Sequence, residues 1–310
     1  MTRAVQVRAH GSAPVLTEVD DPAHEAGASL VRITAAALGH LDRTIASGQF
    51  PSSPPLPYAP GVEGSGVVVA SDTHAPGTPV WIRGAGVGVV RSGTCAELVS
   101  VPDDAVHPSP AGAEPLLAAC FFSPATSALA CVDDLGAVQP GERVAVTGAA
   151  GAVGSLVVQL ALQAGAREVV GCVSREQRRP LVPIGARVVV GEPDGEPVDL
   201  LVDTIGGPGL AERLGRVRPG GRAVLVGYTA GTQLVLDLPT LMARDVALLP
   251  LNAVRRAPQA FARADDVLVR LSRGELTLRV ERFALADADA AWDRLGSGRA
   301  AGRVVLVVGG

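Results

Sequence analysis

A glycine-rich turn between a β-branched strand and an apolar helix carries the most specific chemistry in this sequence. The turn has the spacing Ala149-x-Gly151-x-x-Gly154, a dinucleotide-binding pattern whose first glycine is replaced by alanine. The absent side chain of Gly151 lets the backbone approach a pyrophosphate, and Gly154 lets the helix pack closely on the strand. The amino end of the helix attracts the anion. We therefore expect the pyrophosphate at Ala149, Ala150, Gly151, Ala152 and Val153.

The residues that end the strand after this helix indicate which dinucleotide cofactor the protein prefers. A cofactor with a free ribose 2′-hydroxyl would be met there by Asp or Glu, whereas this chain has Val173. Ser174, Arg175 and Arg178 come next, and arginines suit a 2′-phosphate. Alternatively, these arginines are ordinary solvated loop residues. The missing carboxylate favours NADPH as the cofactor.

A hydride-transfer reaction needs few further groups from the protein, because the cofactor carries the chemistry. The protein must still supply a hydrogen-bond donor to the substrate oxygen on which negative charge develops. The candidate donors or pocket residues are His40, Tyr58 and Tyr228. Tyr228 follows a strand whose carboxyl end is a usual position for ligands. His40 is either a proton donor or a polar residue that lines the pocket.

Two kinds of element must position these residues. The first 110 or so residues contain short β-branched runs between Gly, Pro, Asp and Ser clusters, which predicts a small β-rich domain. These runs are Ala4–Val7, Leu30–Ile33, Gly66–Val69, Val80–Ile82 and Ala96–Val101. Later apolar runs alternate with helical segments, which predicts a doubly wound parallel sheet. They are Arg143–Thr147, Glu168–Val173, Arg187–Val190, Asp199–Asp203, Arg222–Gly227 and Val246–Leu251.

One connection in this sheet is unusually short. Only residues 191–197 separate the third run from the fourth, and they are rich in Gly and Pro. A parallel crossover normally needs about a dozen residues or more and contains a helix. Either the chain crosses on a bare loop, or the third strand is vestigial.

Composition excludes several classes of protein. All 27 basic residues are Arg, so a Schiff-base lysine and a lysine-containing phosphate loop are both excluded. A net charge of −4 gives no reason to expect nucleic acid or a membrane as partner. The four Cys form no C-x-x-C pair. The sequence shows no signal peptide, and we expect a cytoplasmic protein.

The order of these parts resembles the medium-chain dehydrogenase/reductase superfamily. Segments 39–48, 56–66, 199–207, 220–227 and 298–306 are similar to its signatures. The resemblance is strongest to its zinc-independent quinone oxidoreductase-like branch, which reduces quinones and enones with NADPH. It implies an α/β fold with a GroES-like β-rich catalytic domain (residues 1–115 and 252–310) and a Rossmann dinucleotide-binding domain (residues 116–251).

The resemblance also suggests roles for individual residues. Zinc-dependent members place Cys, His and Cys where this chain has Gly39, Val62 and Cys120, so no metal site is expected. The quinone oxidoreductase branch commonly has Asn at the position of Gly39. Asp42 and Glu63 are expected to be structural carboxylates. The resemblance places further cofactor contacts at Thr126, Thr204 and Gly227.

The resulting hypothesis is an NADPH-dependent, zinc-independent reductase of quinones or α,β-unsaturated carbonyl compounds. Two alternatives stay open: a carbonyl or imine reductase of a biosynthetic pathway, and a protein that binds NADPH without turnover. The segment Asp245–Asn252 would be an apolar sheet edge if left bare. By resemblance, it joins two copies of the chain into a homodimer.

Overall fold

The structure, a computed structural model, describes residues 1–309, and it divides into two compact units. The first unit contains Met1–Phe122, Leu268–Glu275 and the chain from Arg279 onward. The second contains Ser123–Val267 and Leu276–Leu278. The division after Phe122 falls later than the predicted boundary at residue 115, and residues 252–267 join the second unit.

Strands and helices are numbered in chain order over the described residues. The strands are β1 Thr2–Gln6, β2 Val15–Val19, β3 Ala28–Leu38, β4 Glu63–Ala70, β5 Pro79–Ile82, β6 Leu98–Pro102, β7 Val106–Pro108, β8 Arg143–Thr147, β9 Glu168–Val173, β10 Arg187–Val190, β11 Val198–Asp203, β12 Val217–Leu225, β13 Ala247–Pro250, β14 Val280–Ala284 and β15 Arg303–Val307. The α-helices are α1 His40–Ala46, α2 Pro115–Ala118, α3 Phe122–Leu129, α4 Ala152–Gln163, α5 Leu210–Leu214, α6 Leu238–Arg244, α7 Ala257–Ala262, α8 Ala264–Ser272 and α9 Ala288–Gly296. Among the described residues, no helix is long and apolar enough to cross a membrane.

The first unit is built on a sheet with the strand order β14-β15-β3-β4-β5-β7, in which β6 also pairs with β3. Its apolar core contains Val31 and Ile33 of β3 together with Leu306 of β15. Strand β15 runs antiparallel to β3, and Val304 lies opposite Leu38. Because α1 begins directly after β3, this register brings the start of β15 beside the start of α1.

The second unit contains the predicted parallel sheet, with the strand order β10-β9-β8-β11-β12-β13. Its central strands are buried on both faces, as the unbroken apolar runs indicate: every residue of β8 is buried. The carboxyl ends of parallel strands lie at one edge of the sheet, so the segments after β8, β9, β11 and β12 share that edge. The predicted fold class is confirmed.

The short connection crosses the sheet as a loop. Residues 191–197 lead from β10 to β11, which lie three strand positions apart and thus about 14 Å apart at about 4.8 Å per position. Seven extended residues reach about 24 Å, which is sufficient. Glu192 accepts a hydrogen bond from Arg213, and the Asp194 carbonyl accepts one from Arg143. Pro193 is buried. Of the two alternatives, the bare loop is correct, and β10 pairs fully with β9.

Some elements differ from the sequence interpretation. The apolar stretch from Pro115 to Val132, whose sequence predicts a core helix, forms α2, α3 and the start of a π-helical segment Ala130–Leu135. Strands β2, β7 and β14 were not predicted, because they are short and few of their residues are buried. Strand β13 covers only Ala247–Pro250 of the expected edge segment Asp245–Asn252.

Candidate functional site

The glycine-rich turn joins β8 to α4 in the second unit. Gly148 adopts a positive φ of 61°, and Gly151 is the extended residue before the first turn of α4. The Gly151 N–H donates to the Gly148 carbonyl at 2.8 Å, which closes the turn. Gly148 therefore provides the sharp bend that the first glycine of the pattern usually provides. Our sequence interpretation missed this role, although the residue directly follows the strand.

The turn has the properties of a cradle for an anion. A Cβ atom at Gly154 would lie 2.3 Å from the Gly148 carbonyl oxygen, so α4 packs on the turn more closely than any side chain permits. The first backbone hydrogen bond of the helix runs from the Ser155 N–H to the Gly151 carbonyl. The N–H groups of Ala152 and Val153 precede this bond and remain available to a phosphate, and both residues are partly exposed. Ala149 and Ala150 are buried beneath them.

Thr204 connects the ends of β8 and β11. Its backbone N–H donates to Thr147 Oγ1 at 2.9 Å, and its own hydroxyl donates to the Thr147 carbonyl at 2.7 Å. Gly227 lies against it, because a Cβ atom at Gly227 would be 2.2 Å from the Thr204 carbonyl oxygen. The structure thus places Thr204 and Gly227 together at the carboxyl edge of the sheet. The Thr204 hydroxyl proton is used within the protein, so toward a ligand this oxygen acts as an acceptor.

The residues that the sequence analysis assigned to a 2′-phosphate follow the carboxyl end of β9. Val173 is buried, whereas Ser174 and Arg175 are exposed and Arg178 is partly exposed on the following 3₁₀ segment. The neighbouring Arg179 pairs with Glu176 and donates to the Val188 carbonyl. Its guanidinium is therefore tied to the protein.

Two further candidates of the second unit lie in different surroundings. Tyr228 follows β12, and 54% of the residue is exposed. Thr126 is buried in α3 and lines a small cavity that also contacts Asp134 and Arg263. Tyr228 is thus open to solvent at the carboxyl edge, whereas Thr126 is enclosed.

His40 is the first residue of α1 in the first unit, and a large part of it is exposed. Burial lowers the pKa of His40, and the nearby positive charges of Arg303 and Arg43 lower it further. These effects favour the neutral imidazole. As a neutral ring it has one N–H that can donate a hydrogen bond.

Tyr58 has a different environment from the one expected of a substrate donor. It is 1% exposed and packs in the core of the first unit, where its backbone pairs with Val7. Its hydroxyl is enclosed and has no hydrogen-bond partner among the described residues. Burial raises the pKa of Tyr58 to about 12, and the nearby Asp42 contributes.

Asp42 is a buried carboxylate that organises the start of α1. Its side chain accepts hydrogen bonds from the N–H groups of Gly39 at 2.8 Å, Gly61 at 2.9 Å and Val62 at 3.2 Å. Burial raises the pKa of Asp42, and the bonds from Gly39 and Gly61 oppose this effect. These contacts are those of a structural carboxylate that holds residues 39 and 61–62 together.

Arg303 lies directly over Gly39. A Cβ atom at Gly39 would be 3.0 Å from Nη1 of Arg303. Nη2 of the same guanidinium is 3.4 Å from Glu63 Oε1, and Glu63 is buried. Our sequence interpretation expected Glu63 to be a structural carboxylate but did not identify Arg303 as its partner. The proximity of Arg303 depends on the pairing of β15 with β3, which no local pattern reveals.

The residues at the expected metal position offer one side-chain ligand atom, the sulfur of Cys120. Cys120 is buried, its thiol donates to the Leu116 carbonyl, and burial raises its pKa to about 12. A catalytic zinc site uses three protein ligands, of which this thiol could supply one. Gly39 and Val62 supply no ligand atoms. Among residues 1–309, no group of three or more His, Cys, Asp or Glu side chains is arranged to hold a metal ion.

Two family models match the chain in the same order as these two units. A model described as "Alcohol dehydrogenase GroES-like domain" matches residues 25–111, and one described as "Zinc-binding dehydrogenase" matches residues 165–306. Together with the GroES-like and Rossmann folds, these matches define the class. The chain belongs to the medium-chain dehydrogenase/reductase superfamily of oxidoreductases.

Individual relatives are distant. Prostaglandin reductase-3 of Bos taurus is 25% identical over 84% of this chain and 73% of its own length. Quinone oxidoreductase-like protein 2 of Rattus norvegicus is 26% identical over 73% of this chain and 67% of its own. Among solved structures, mycobacterial Rv1454c complexed with NADPH superposes with a TM-score of 0.86 at 24% identity, covering 99% of this chain and 100% of the other. At this distance, the structural likeness concerns the fold.

Proposed function

We propose that this protein is a zinc-independent reductase that uses NADPH to reduce quinones or α,β-unsaturated carbonyl compounds. The observation that carries the proposal is the set of residues at the metal position of the superfamily. A glycine, a valine and one protonated thiol stand there, at Gly39, Val62 and Cys120. Reduction of a simple ketone or aldehyde generates a strongly basic alkoxide and would depend on a metal or a strong acid. Reduction of an enone or quinone generates a less basic anion and does not need such a group.

Support for the cofactor comes from the second unit. The N–H groups of Ala152 and Val153 would bind the pyrophosphate, and Gly151 leaves room for it. Arg175 and Arg178 would pair with a 2′-phosphate beyond Val173, which stands where a carboxylate would bind a free ribose hydroxyl. NADPH, when bound, supplies a hydride and is oxidised to NADP⁺.

The chain's own part in the reaction is modest. When a hydride reaches the substrate carbon, negative charge develops on an oxygen several atoms away, as an enolate or a hydroquinone anion. Such an oxygen needs a hydrogen-bond donor, and its proton can come from water. The exposed and neutral His40 can act as a donor of this kind.

This reasoning is tested by single-turnover oxidation of NADPH in wild type and His40→Ala, with a quinone and with a simple ketone. We expect the quinone to be reduced, and the substitution to slow this step by about 10–100-fold without abolishing it. The affinity for NADPH should stay unchanged, since the cofactor residues lie in the second unit. Reduction of the ketone alone, abolished by His40→Ala, would favour a carbonyl reductase instead.

A further inference from the structure

We propose that the guanidinium of Arg303 binds the oxygen of the substrate that becomes negatively charged, in the place where zinc-dependent members of the superfamily hold their metal. This inference rests on the proposed function, because it identifies the group that stabilises the charge of that reaction. It concerns only residues of the first unit.

The position of Arg303 follows from the strand register. Val304 of β15 pairs with Leu38 of β3, so the residue before Val304 lies beside the residue after Leu38. These two residues are Arg303 and Gly39. The guanidinium fills the space of a side chain at position 39: Nη1 and Cζ lie 3.0 and 3.9 Å from where a Cβ atom would be. The small residue and the arginine therefore form one arrangement, which a side chain at position 39 would displace.

Most hydrogen-bonding capacity of this guanidinium is unused. It carries five N–H bonds, and only Nη2 has a hydrogen-bond partner among the described residues, at the long distance of 3.4 Å from Glu63 Oε1. Nε is enclosed without a partner. An efficient arginine–carboxylate pair is shorter, about 2.7–2.9 Å, and often uses two N–H groups. The enclosed Nε is out of reach of a ligand, and the donors that we assign to the substrate oxygen are the N–H groups of Nη1, which have no partner among the described residues.

Two buried carboxylates, Asp42 and Glu63, lie near Arg303. Asp42 accepts hydrogen bonds from backbone N–H groups, and Glu63 is the one carboxylate that the described structure pairs with Arg303. The field of Arg303 reaches the surrounding groups, since it lowers the pKa of His40 and opposes the burial effects on Asp42 and Cys120. One cation thus acts on the exposed His40 as well as on two buried groups.

The chemistry is balanced without a metal. The acceptor carbon gains a hydride, the π electrons move to the carbonyl oxygen, and that oxygen holds a negative charge until a proton arrives from water. The dinucleotide is oxidised in the same step. Arg303 forms no covalent bond: its N–H groups donate to the oxygen and favour the anionic form. Arginine stays protonated throughout, so it supplies charge and hydrogen bonds and no proton.

A binding experiment without cofactor tests this directly. The probe is 4-nitrophenol, whose phenolate is coloured and resembles a stabilised enolate. We expect wild type to bind the phenolate in preference to the phenol, so that the apparent pKa of the bound probe falls. Arg303→Gln should weaken phenolate binding by about 10–100-fold, and Arg303→Lys should retain part of it. Arg299→Gln is the matched control, because Arg299 is exposed on the preceding loop, and it should bind like wild type.

A second variant keeps the charge but shifts it slightly. Gly39 has an extended backbone with φ −138°, which alanine adopts without strain, so Gly39→Ala should fold while its methyl group forces the guanidinium to shift by a few tenths of an ångström. We expect weaker phenolate binding and a lower kcat, with an unchanged affinity for NADPH. Equal phenolate binding by wild type, Arg303→Gln and Gly39→Ala would overturn the proposal, as would a wild type that binds no phenolate.

The two proposals fail in different ways. If phenolate binding depends on Arg303 but no quinone or enone oxidises NADPH, the anion site stands and the proposed function is wrong. If NADPH is oxidised and Arg303→Gln retains the wild-type kcat, the function stands and the role of Arg303 is wrong.

Discussion

At the scale of single residues, Asp42 shows how a carboxylate can be buried for structural reasons. Its side chain accepts hydrogen bonds from three backbone N–H groups of the first unit. Asp42→Asn would remove the charge and turn an amide N–H₂ toward one of these donors. We expect a loss of about 2–3 kcal/mol in the free energy of unfolding, measured by urea denaturation. Asp104→Asn is the control, because Asp104 is exposed. Equal stability of the two variants would contradict this role.

Arg178 tests the preference for NADPH at the same scale. Arg178→Glu would place a negative charge where the 2′-phosphate is expected, beyond the buried Val173. We expect NADPH to lose about 1.5–3 kcal/mol of binding free energy while NADH is little affected. Fluorescence titration with both cofactors measures this. Arg216→Glu makes the same charge change just before β12, at the opposite edge of the sheet, and should not alter the discrimination.

Residue types revealed only part of the site. The turn at 149–153 and the arginines after Val173 could be predicted because they are local patterns with a known mechanism. The burial of Tyr58 could not be predicted, since the local sequence around a loop tyrosine does not show whether the side chain is exposed or buried. Arg303 was missed because its neighbours Gly39 and Glu63 are distant in sequence and are reached through strand pairing.

At the scale of elements, Gly148 makes the turn between β8 and α4 possible. An alanine there would combine a positive φ of 61° with a Cβ atom 2.4 Å from Thr204 Oγ1. We expect Gly148→Ala to lower the free energy of unfolding by about 1–3 kcal/mol and to weaken NADPH binding. Gly141→Ala is the matched control, since Gly141 has φ 86° and open space around it. It should be less destabilising and should leave NADPH affinity unchanged. Equal NADPH affinity of the two variants would refute the role of Gly148.

Sheet strands were predictable where their residues form an unbroken apolar run. The six runs of the parallel sheet lie close to where they were expected: the central strands are covered on both faces, and the edge strands β10 and β13 keep apolar sequences although few of their residues are buried. Strand β2 was missed because its residues are mostly exposed, so its sequence shows no burial pattern. The loop at 191–197 could be predicted because the connection is too short for a helix. The hydrogen bonds from Arg143 and Arg213 that hold the loop could not be predicted, because they join residues distant in sequence.

At the scale of the whole molecule, we predict a homodimer that pairs along β13. This strand lies at the end of the sheet, and Leu238 and Met242 of the preceding α6 expose apolar surface. A bare apolar edge favours pairing with another strand. Pro250 cannot donate, and β13 has only four residues, so the pairing should be short. Light scattering at micromolar concentration should give the mass of two chains, and the mass of one chain would contradict the prediction.

The central claim is that this chain transfers a hydride from NADPH to a quinone or enone without zinc. The most direct measurement is steady-state NADPH oxidation with a panel of small quinones and enones, using protein treated with a chelator and analysed for zinc. We predict turnover by protein that contains no stoichiometric zinc, because Gly39 and Val62 supply no ligands and Cys120 is a protonated, buried thiol. The account would be contradicted if no acceptor supported oxidation, or if activity disappeared with chelation and returned with zinc.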